Sequence, residues 1–274
     1  MNCQYSPLER EALLHIAGPD SLTFLQGQTT CDTRNAGPDR ALPGVYCTPK
    51  GRVVCDFLLC QIDMDHFALR MRRDIRDRAA QVLGKYIVFS KAELDSENEQ
   101  WQVVACWGQG AEDALAGVFG EVPREPGQCH RGDDFILVRS AEPGRGFECL
   151  LAQDSRWLAA LAEVAEQAPA GDWEQSQIMA GIARIEAATV EAFVPQVLNY
   201  DLTGHISFDK GCYTGQEVVA RLHYRGVSKR RTLLARLPAE SATGAPVYAA
   251  GGSQPVGDVV NCSGKLALVS ATLD

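Results

Sequence analysis

Short apolar runs arriving in close pairs constrain this chain more than any other feature. Residues 45–48 and 53–62 read as two strands joined at Pro49-Lys50-Gly51, a sequence that turns the backbone. Shortly afterwards the period changes. Ile75, Ala79, Val82, Leu83 and Tyr86 fall on one face of a repeat of about 3.6 residues, so 74–88 begins as an amphipathic helix. Arg72, Arg73, Arg76 and Arg78 mostly avoid that stripe and read as a solvated face. Further strands are expected at 101–107, 135–139 and 148–152, and further helices near 111–119, 157–168 and 175–185. Upstream, Asp20 is placed to cap a short helix through Leu22, Phe24 and Leu25 that Gly27 ends. Strands come in neighbouring pairs and helices interrupt them irregularly, so the fold class is α+β rather than a doubly wound parallel sheet.

After Arg231 the character changes to short strands broken by glycine, at 232–237, 246–249, 257–261 and 266–271. The expected domains are a core over 1–230 and a small β module over 231–274, which is too small to stand without packing on the core.

Composition then removes several function classes. With 46% hydrophobic and 22% charged residues the chain is ordinary globular material, and its net charge of −9 argues against a general binder of nucleic acid or anionic membrane. The start shows no apolar leader, and no run reaches the ~18 apolar residues that cross a bilayer, so a soluble cytoplasmic protein without a membrane partner is expected. Ten cysteines occur with no Cys-x-x-Cys pair, which leaves zinc or cluster ligation without support; no metal site is expected. Most of them read as small, buried, reduced residues. There is also no phosphate loop, no His-Glu-x-x-His, no Gly-x-Ser-x-Gly and no dinucleotide fingerprint.

One stretch stands apart: Lys210-Gly211-Cys212-Tyr213-Thr214-Gly215-Gln216-Glu217. Thr214 followed by Glu217 ahead of Val218, Val219 and Leu222 reads as a capping box, and Gly226 as the residue that closes a helix over 215–225. Cys212 would then lie two residues before the N-cap, where the helix dipole and Lys210 favour a thiolate. The competing reading is a packed cysteine in a tight turn, with Gly211 and Gly215 serving backbone geometry. From 218 to 239 the chain carries Arg221, Arg225, Lys229, Arg230, Arg231 and Arg236 and no acidic residue. That run reads as a site for an anionic ligand, or otherwise as a surface helix and strand. His205 and His223 draw attention only by their neighbourhood.

The stretch KGCYTGQE resembles the signature of the YgfZ family, folate-binding relatives of the glycine-cleavage aminomethyltransferase. The resemblance extends along essentially the whole chain through Gly18-Pro19-Asp20, Phe24-Leu25-Gln26-Gly27-Gln28, Thr30-Cys31-Asp32, Lys50-Gly51-Arg52, Gly181-Ile182-Ala183-Arg184-Ile185, Val194-Pro195-Gln196, Asn199 and Ile206-Ser207-Phe208. It implies intertwined ferredoxin-like units plus a C-terminal β-barrel around a central cavity holding tetrahydrofolate or a related reduced folate. It also implies support of iron–sulfur proteins, with client or assembly proteins as partners and nucleic acid an unlikely one. The site implied is catalytic Cys212 and Lys210, with Gly211, Gly215, Gln216 and Glu217 as motif residues. Folate would meet Glu186, Tyr213 and Asp32, with Arg221 and Arg225 receiving its glutamate tail. A carboxylate suits the aminopyrimidine edge because its two oxygens accept adjacent N–H donors.

Three rivals remain. One is an aminomethyltransferase acting on a lipoyl carrier protein, opposed by the cysteine-bearing form of the motif and by chain length. The second is a folate-sensing scaffold. The third is a folate-dependent RNA-modification factor, suggested by the arginine run and opposed by overall acidity.

Overall fold

The computed structural model describes residues 3–140 and 146–273. In chain order the elements are β1 (Gln4–Pro7), β2 (Glu11–Ala17), α1 (Ser21–Gln28), β3 (Leu42–Cys47), β4 (Val53–Asp63), β5 (His66–Arg72), α2 (Arg73–Ile87), β6 (Glu93–Asp95) and β7 (Trp101–Trp107). There follow α3 (Ala111–Phe119), β8 (Cys129–Arg131), β9 (Phe135–Arg139), β10 (Phe147–Ala152), α4 (Trp157–Val164), β11 (Glu166–Gln167) and α5 (Ala170–Met179). The last are α6 (Gln216–Tyr224), β12 (Arg230–Arg236), β13 (Pro246–Tyr248), β14 (Pro255–Ser263) and β15 (Leu266–Thr272). They divide into two compact units, 1–22 with 33–42 and 58–173, and 23–32 with 43–57 and 174–274.

The first unit holds a six-stranded sheet ordered β11-β1-β7-β10-β9-β8, antiparallel at β7, β10 and β9 and parallel only between β1 and β11. Its inner strands β7, β9 and β10 are largely apolar runs because both faces are covered there. Val104, Cys106, Leu137, Phe147 and Cys149 project to one side and pack on Ala114 and Leu115 of α3 and Leu161 of α4. The alternate residues Val103, Ala105, Ile136, Val138 and Leu150 meet Leu13, Cys60 and Ala68 from β2, β4 and β5. The predominance of antiparallel pairing accords with the α+β class.

The second unit contains β3, the first half of β4, α6 and a four-stranded antiparallel sheet ordered β12-β15-β14-β13. Val259, Ala267 and Val269 form the core of one face of that sheet, covered by Ala235, Leu237 and Val247. The C-terminal barrel implied by the resemblance is not formed among the described residues: β12 and β13 are the outer strands of an open sheet. Four strands with a turn-broken, short β13 provide too little length for the tilt and stagger that closure requires.

Several boundaries move for identifiable reasons. Helix α1 runs through Gly27 to Gln28, and the carboxylate of Asp20 accepts the Lys91 N–H at 2.8 Å. Helix α4 stops at Val164 because Glu166–Gln167 leaves to pair in parallel with Gln4 and Tyr5. Helix α5 covers Ala170–Met179 instead of 175–185, since beyond it Gly181 adopts φ +76. Ile75, Ala79, Val82 and Leu83 are buried on α2 as the periodicity requires, whereas Tyr86 is 42% exposed.

The arginines beside that helix are not a uniformly solvated face. Arg72 ends β5, is buried, and pairs with Glu11 of the neighbouring β2 at 3.4 Å. Two residues back along β5, buried Arg70 bridges Glu11 at 3.4 Å and Glu148 at 2.6 Å. Arg73 and Arg76 share half-exposed Glu99 at 2.8 and 2.6 Å. Removing one member of a buried ion pair strands the other charge, whereas surface pairs contribute little. Arg70→Met is therefore expected to lower unfolding free energy by about 3–5 kcal/mol, and Glu99→Gln by less than about 1 kcal/mol. Urea unfolding of the two variants checks this; equal midpoints would show that the buried network is not what distinguishes them.

Candidate functional site

The octapeptide has little secondary structure of its own before α6, so its position comes from tertiary contacts within the second unit. Thr30 anchors the approach: its hydroxyl donates to the His205 carbonyl at 2.6 Å, and its own carbonyl accepts the Ser207 N–H at 2.9 Å. The Lys210 ammonium donates to the carbonyls of Gln26 and Thr29 at 2.6 and 2.5 Å, at the C-terminal end of α1, where the helix dipole favours a cation. The same ammonium lies 5.0 Å from the centre of the Tyr213 ring. Burial, with a smaller contribution from Cys47, pushes the Tyr213 phenol well above its ordinary range, so it stays protonated.

Gly215 is required twice over. Its φ is +85, and a Cβ there would meet the Thr48 carbonyl oxygen at 2.5 Å and Cys47 Cβ at 3.0 Å. The backbone of the motif thus lies directly on the turn between β3 and β4. Gly51 of that turn, at φ +70, sits under Val218 in the same way.

The expected capping box is absent. Gly215 is the N-cap and offers no side chain; the Thr214 hydroxyl donates instead to Gln28 Oε1 at 3.0 Å. Gln216 Oε1 accepts the Tyr213 N–H at 3.2 Å, and Glu217 is exposed in the first turn. The helix covers Gln216–Tyr224, so Cys212 lies three residues before the N-cap rather than two. Arg225 is the C-cap, its N–H bonding the Arg221 carbonyl, so Gly226 stands just past it at C′ as expected. The Lys210 ammonium is directed at carbonyls at the end of α1.

All ten cysteines are among the described residues, and Cys212 alone is exposed. Cys129 and Cys262 are half-buried and the other seven are buried. Burial pushes the Cys47 thiol up to about 12 and that of Cys3 up to about 11, and it raises Cys31 and Cys60 as well. Gly211, next to Cys212, has open space where a Cβ would stand and no left-handed φ. Neither packing nor backbone geometry accounts for glycine there, unlike at Gly215.

Glu186 belongs to a second constellation. The buried carboxylate of Asp56, on β4, accepts Arg184 Nε and the Ile185 N–H, each at 2.6 Å. Asn261 of β14 accepts the Arg184 N–H at 2.8 Å and donates to the Arg184 carbonyl at 2.9 Å. With that segment fixed, Glu186 Oε1 accepts from Asn261 at 2.8 Å and Oε2 from Thr243 at 3.1 Å, while Thr189 completes a capping box with it. Glu186 is a half-buried, oriented carboxylate, not an exposed helix end. Asp56 and Asn261 were not singled out from sequence; the signal was a carboxylate and an amide each interrupting an apolar strand. Asp32 accepts from Gln26 Nε2 at 3.0 Å, close in sequence to the carbonyls that seat Lys210.

The GCVT N-terminal domain family matches residues 8–127. The tRNA-modifying protein YgfZ of Escherichia fergusonii is 36% identical over 227 residues, covering 81% of this chain and 68% of that protein; those of Shigella dysenteriae serotype 1 and Escherichia coli O157:H7 match to the same extent. The chain belongs to the YgfZ family. In structure, the glycine cleavage system aminomethyltransferase T from Bartonella henselae superposes with a TM-score of 0.79 at 16% identity, over 99% of this chain and 78% of that one. The fold is therefore that of an aminomethyltransferase.

In this YgfZ-family chain the arginine run divides. Arg230 pairs with Asp258 at 2.9 Å, and Arg231 holds Asp201 through both guanidinium nitrogens at 2.5 and 2.9 Å. Arg221, Arg225, Lys229 and Arg236 are exposed. His205 is buried and stacks on Tyr200, a structural role, whereas His223 is exposed on α6.

Two expectations follow. Gly215→Ala should cost at least about 1–3 kcal/mol in urea unfolding, from φ strain and the Thr48 contact, while Gly211→Ala stays within about 0.5 kcal/mol. A neutral Gly215→Ala would mean that the turn simply yields. In native protein, a thiol-specific disulfide reagent should titrate one cysteine rapidly, with Cys212→Ser removing that fast phase and denaturant releasing all ten. A fast phase that survives Cys212→Ser would assign the reactive thiol elsewhere.

Proposed function

We propose that this protein binds a reduced folate and acts in the cytoplasm in the maintenance of iron–sulfur proteins, with Cys212 as its functional thiol. The observation that carries the cysteine assignment is exposure: of ten thiols, one is presented to solvent, on a loop fixed at both ends and beside an uncrowded glycine. Lys210 serves as a positioning residue, since its ammonium joins the motif to the end of α1.

Family membership and the aminomethyltransferase fold support the folate. The donor set fits as well. Asn261 and Thr243 fix the orientation of the Glu186 carboxylate, the group whose chemistry suits the N–H donors of an aminopyrimidine. Tyr213 and Asp32 are the further candidates for contact. When bound, the folate would supply one-carbon chemistry; the residues named here bind and orient.

A second reading, a part in tRNA modification, is favoured by the name carried by the relatives and by the exposed cations on α6. The two readings are compatible where the iron–sulfur client itself modifies tRNA.

Calorimetry with tetrahydrofolate should give saturable binding, weakened about tenfold or more by Glu186→Ala, the loss expected for a charge-assisted hydrogen bond. Cys212→Ser should leave that affinity unchanged and abolish support of iron–sulfur enzyme activities in a deletion strain. Failure of every reduced folate to bind removes the ligand assignment, and full complementation by Cys212→Ser removes the thiol.

A further inference from the structure

The C-terminal end of α6 carries a group of rings that folate and thiol leave unused. Phe208 and His223 stack with centroids 3.6 Å apart and planes 14° from parallel. Tyr224 stands edge-on to both, at 4.7 Å from His223 and 6.3 Å from Phe208. Tyr224 is 66% exposed, and Val227 just beyond it is 84% exposed. Arg221, Arg225 and Lys229 are exposed along the same segment, and among the described residues no carboxylate pairs with them. The nearby acidic positions are Asp209, next to Phe208, and Glu217 at the opposite end of the helix.

We infer that this ring platform with Arg221, Arg225 and Lys229 is a docking site for single-stranded RNA. The inference rests on the tRNA-modification reading and extends it to a surface. Every base has a π-face that can lie on Tyr224 or on the edge of the Phe208–His223 stack, whatever its sequence, while arginine and lysine neutralise the phosphates between bases. Paired bases in a duplex are already stacked and closed to such rings, so a single strand or loop is the form selected. A protein ligand suits the site less well, because three cations with no carboxylate paired to them among the described residues favour a polyanion. The glutamate tail of a folate would satisfy Arg221 and Arg225 but offers the rings nothing to stack on. Overall acidity does not oppose the site. At physiological salt, charges beyond about 8 Å are largely screened, so the local cations govern the approach.

The test is fluorescence anisotropy of the full chain with a labelled oligouridylate of about 12 nucleotides, beside a duplex RNA of equal length. Single-stranded binding should exceed duplex binding. Tyr224→Ala should weaken it about 5–100-fold and Tyr224→Phe hardly at all, and Arg225→Ala should reduce the salt slope by about 0.7. Equal binding of duplex, or an affinity unchanged by Tyr224→Ala, overturns the inference. So does a Tyr224 effect that Tyr224→Phe does not rescue. If Arg225→Ala weakens polyglutamyl folate and leaves RNA unaffected, the arginines belong to the folate tail and the inference again fails. Mass spectrometry of tRNA nucleosides separates this from the wider reading. A modification lost on deletion and restored in full by Tyr224→Ala overturns the platform and leaves the tRNA role standing. A nucleoside profile unchanged by deletion removes the tRNA role, whereas the anisotropy result still decides whether the platform binds RNA.

Discussion

The candidate site depends on one backbone contact, that of Gly215 against the Thr48 carbonyl. It sets where α6 begins, and hence which residues of the motif precede the helix and which ride on it. Lys210 secures the other end of the same loop on the last carbonyls of α1, and Thr214 adds a bond to Gln28. Most of the octapeptide therefore works to hold a position. Lys210, Thr214, Gly215 and Gln216 all have identifiable bonding or steric duties, and what they hold in place is the pair left without one, Gly211 and Cys212. Rigid presentation of an exposed thiol requires several such structural residues, because a loop of this kind has no hydrogen-bonded ladder to keep its shape.

Charge shows how far sequence neighbourhood departs from spatial neighbourhood. The stretch from 218 to 239 has no acidic residue, yet two of its six cations are neutralised by Asp201 and Asp258, one before the stretch and one after it. On α2 the discrepancy has the opposite sense. Arg72 belongs to a strand, not to the helix face, and faces Glu11 directly across the β2–β5 pair. In both cases strand pairing decides, since it brings together residues far apart in the chain, whereas helical periodicity organises only nearby ones.

The same distinction explains what was legible. Helix α3 and strand β7 were found at their true bounds, because each is a single clean periodic run ended by Gly or polar residues. The octapeptide could be singled out as a candidate site because two glycines bracket it ahead of a helix, and of the two Gly215 has a steric need. The capping box was misread because Thr214 and Glu217 have the right spacing, while the bond that Thr214 makes goes to Gln28, far away in sequence. The Asp56–Arg184–Asn261 network was invisible as a network for the same reason, although Asp56 alone, inside an otherwise apolar strand, signalled that a buried partner had to exist. The short strand Glu166–Gln167, which pairs in parallel with β1 and ends α4, has no periodic signal in two residues.

Helix α6 joins the two parts of the functional reading and also keeps them apart. Its nine residues span about 14 Å at 1.5 Å per residue, with the thiol loop before its first turn and the ring platform at its last. That length exceeds the Debye distance at physiological salt, so the charge of a nucleic-acid backbone at Tyr224 is largely screened at the loop that carries Cys212. The rigid helix would fix the spacing while leaving the thiol open to a second partner. On the proposed reading the helix would be a spacer: one end would engage an anionic chain while the other presents sulfur, and neither would have to be displaced for the other to work.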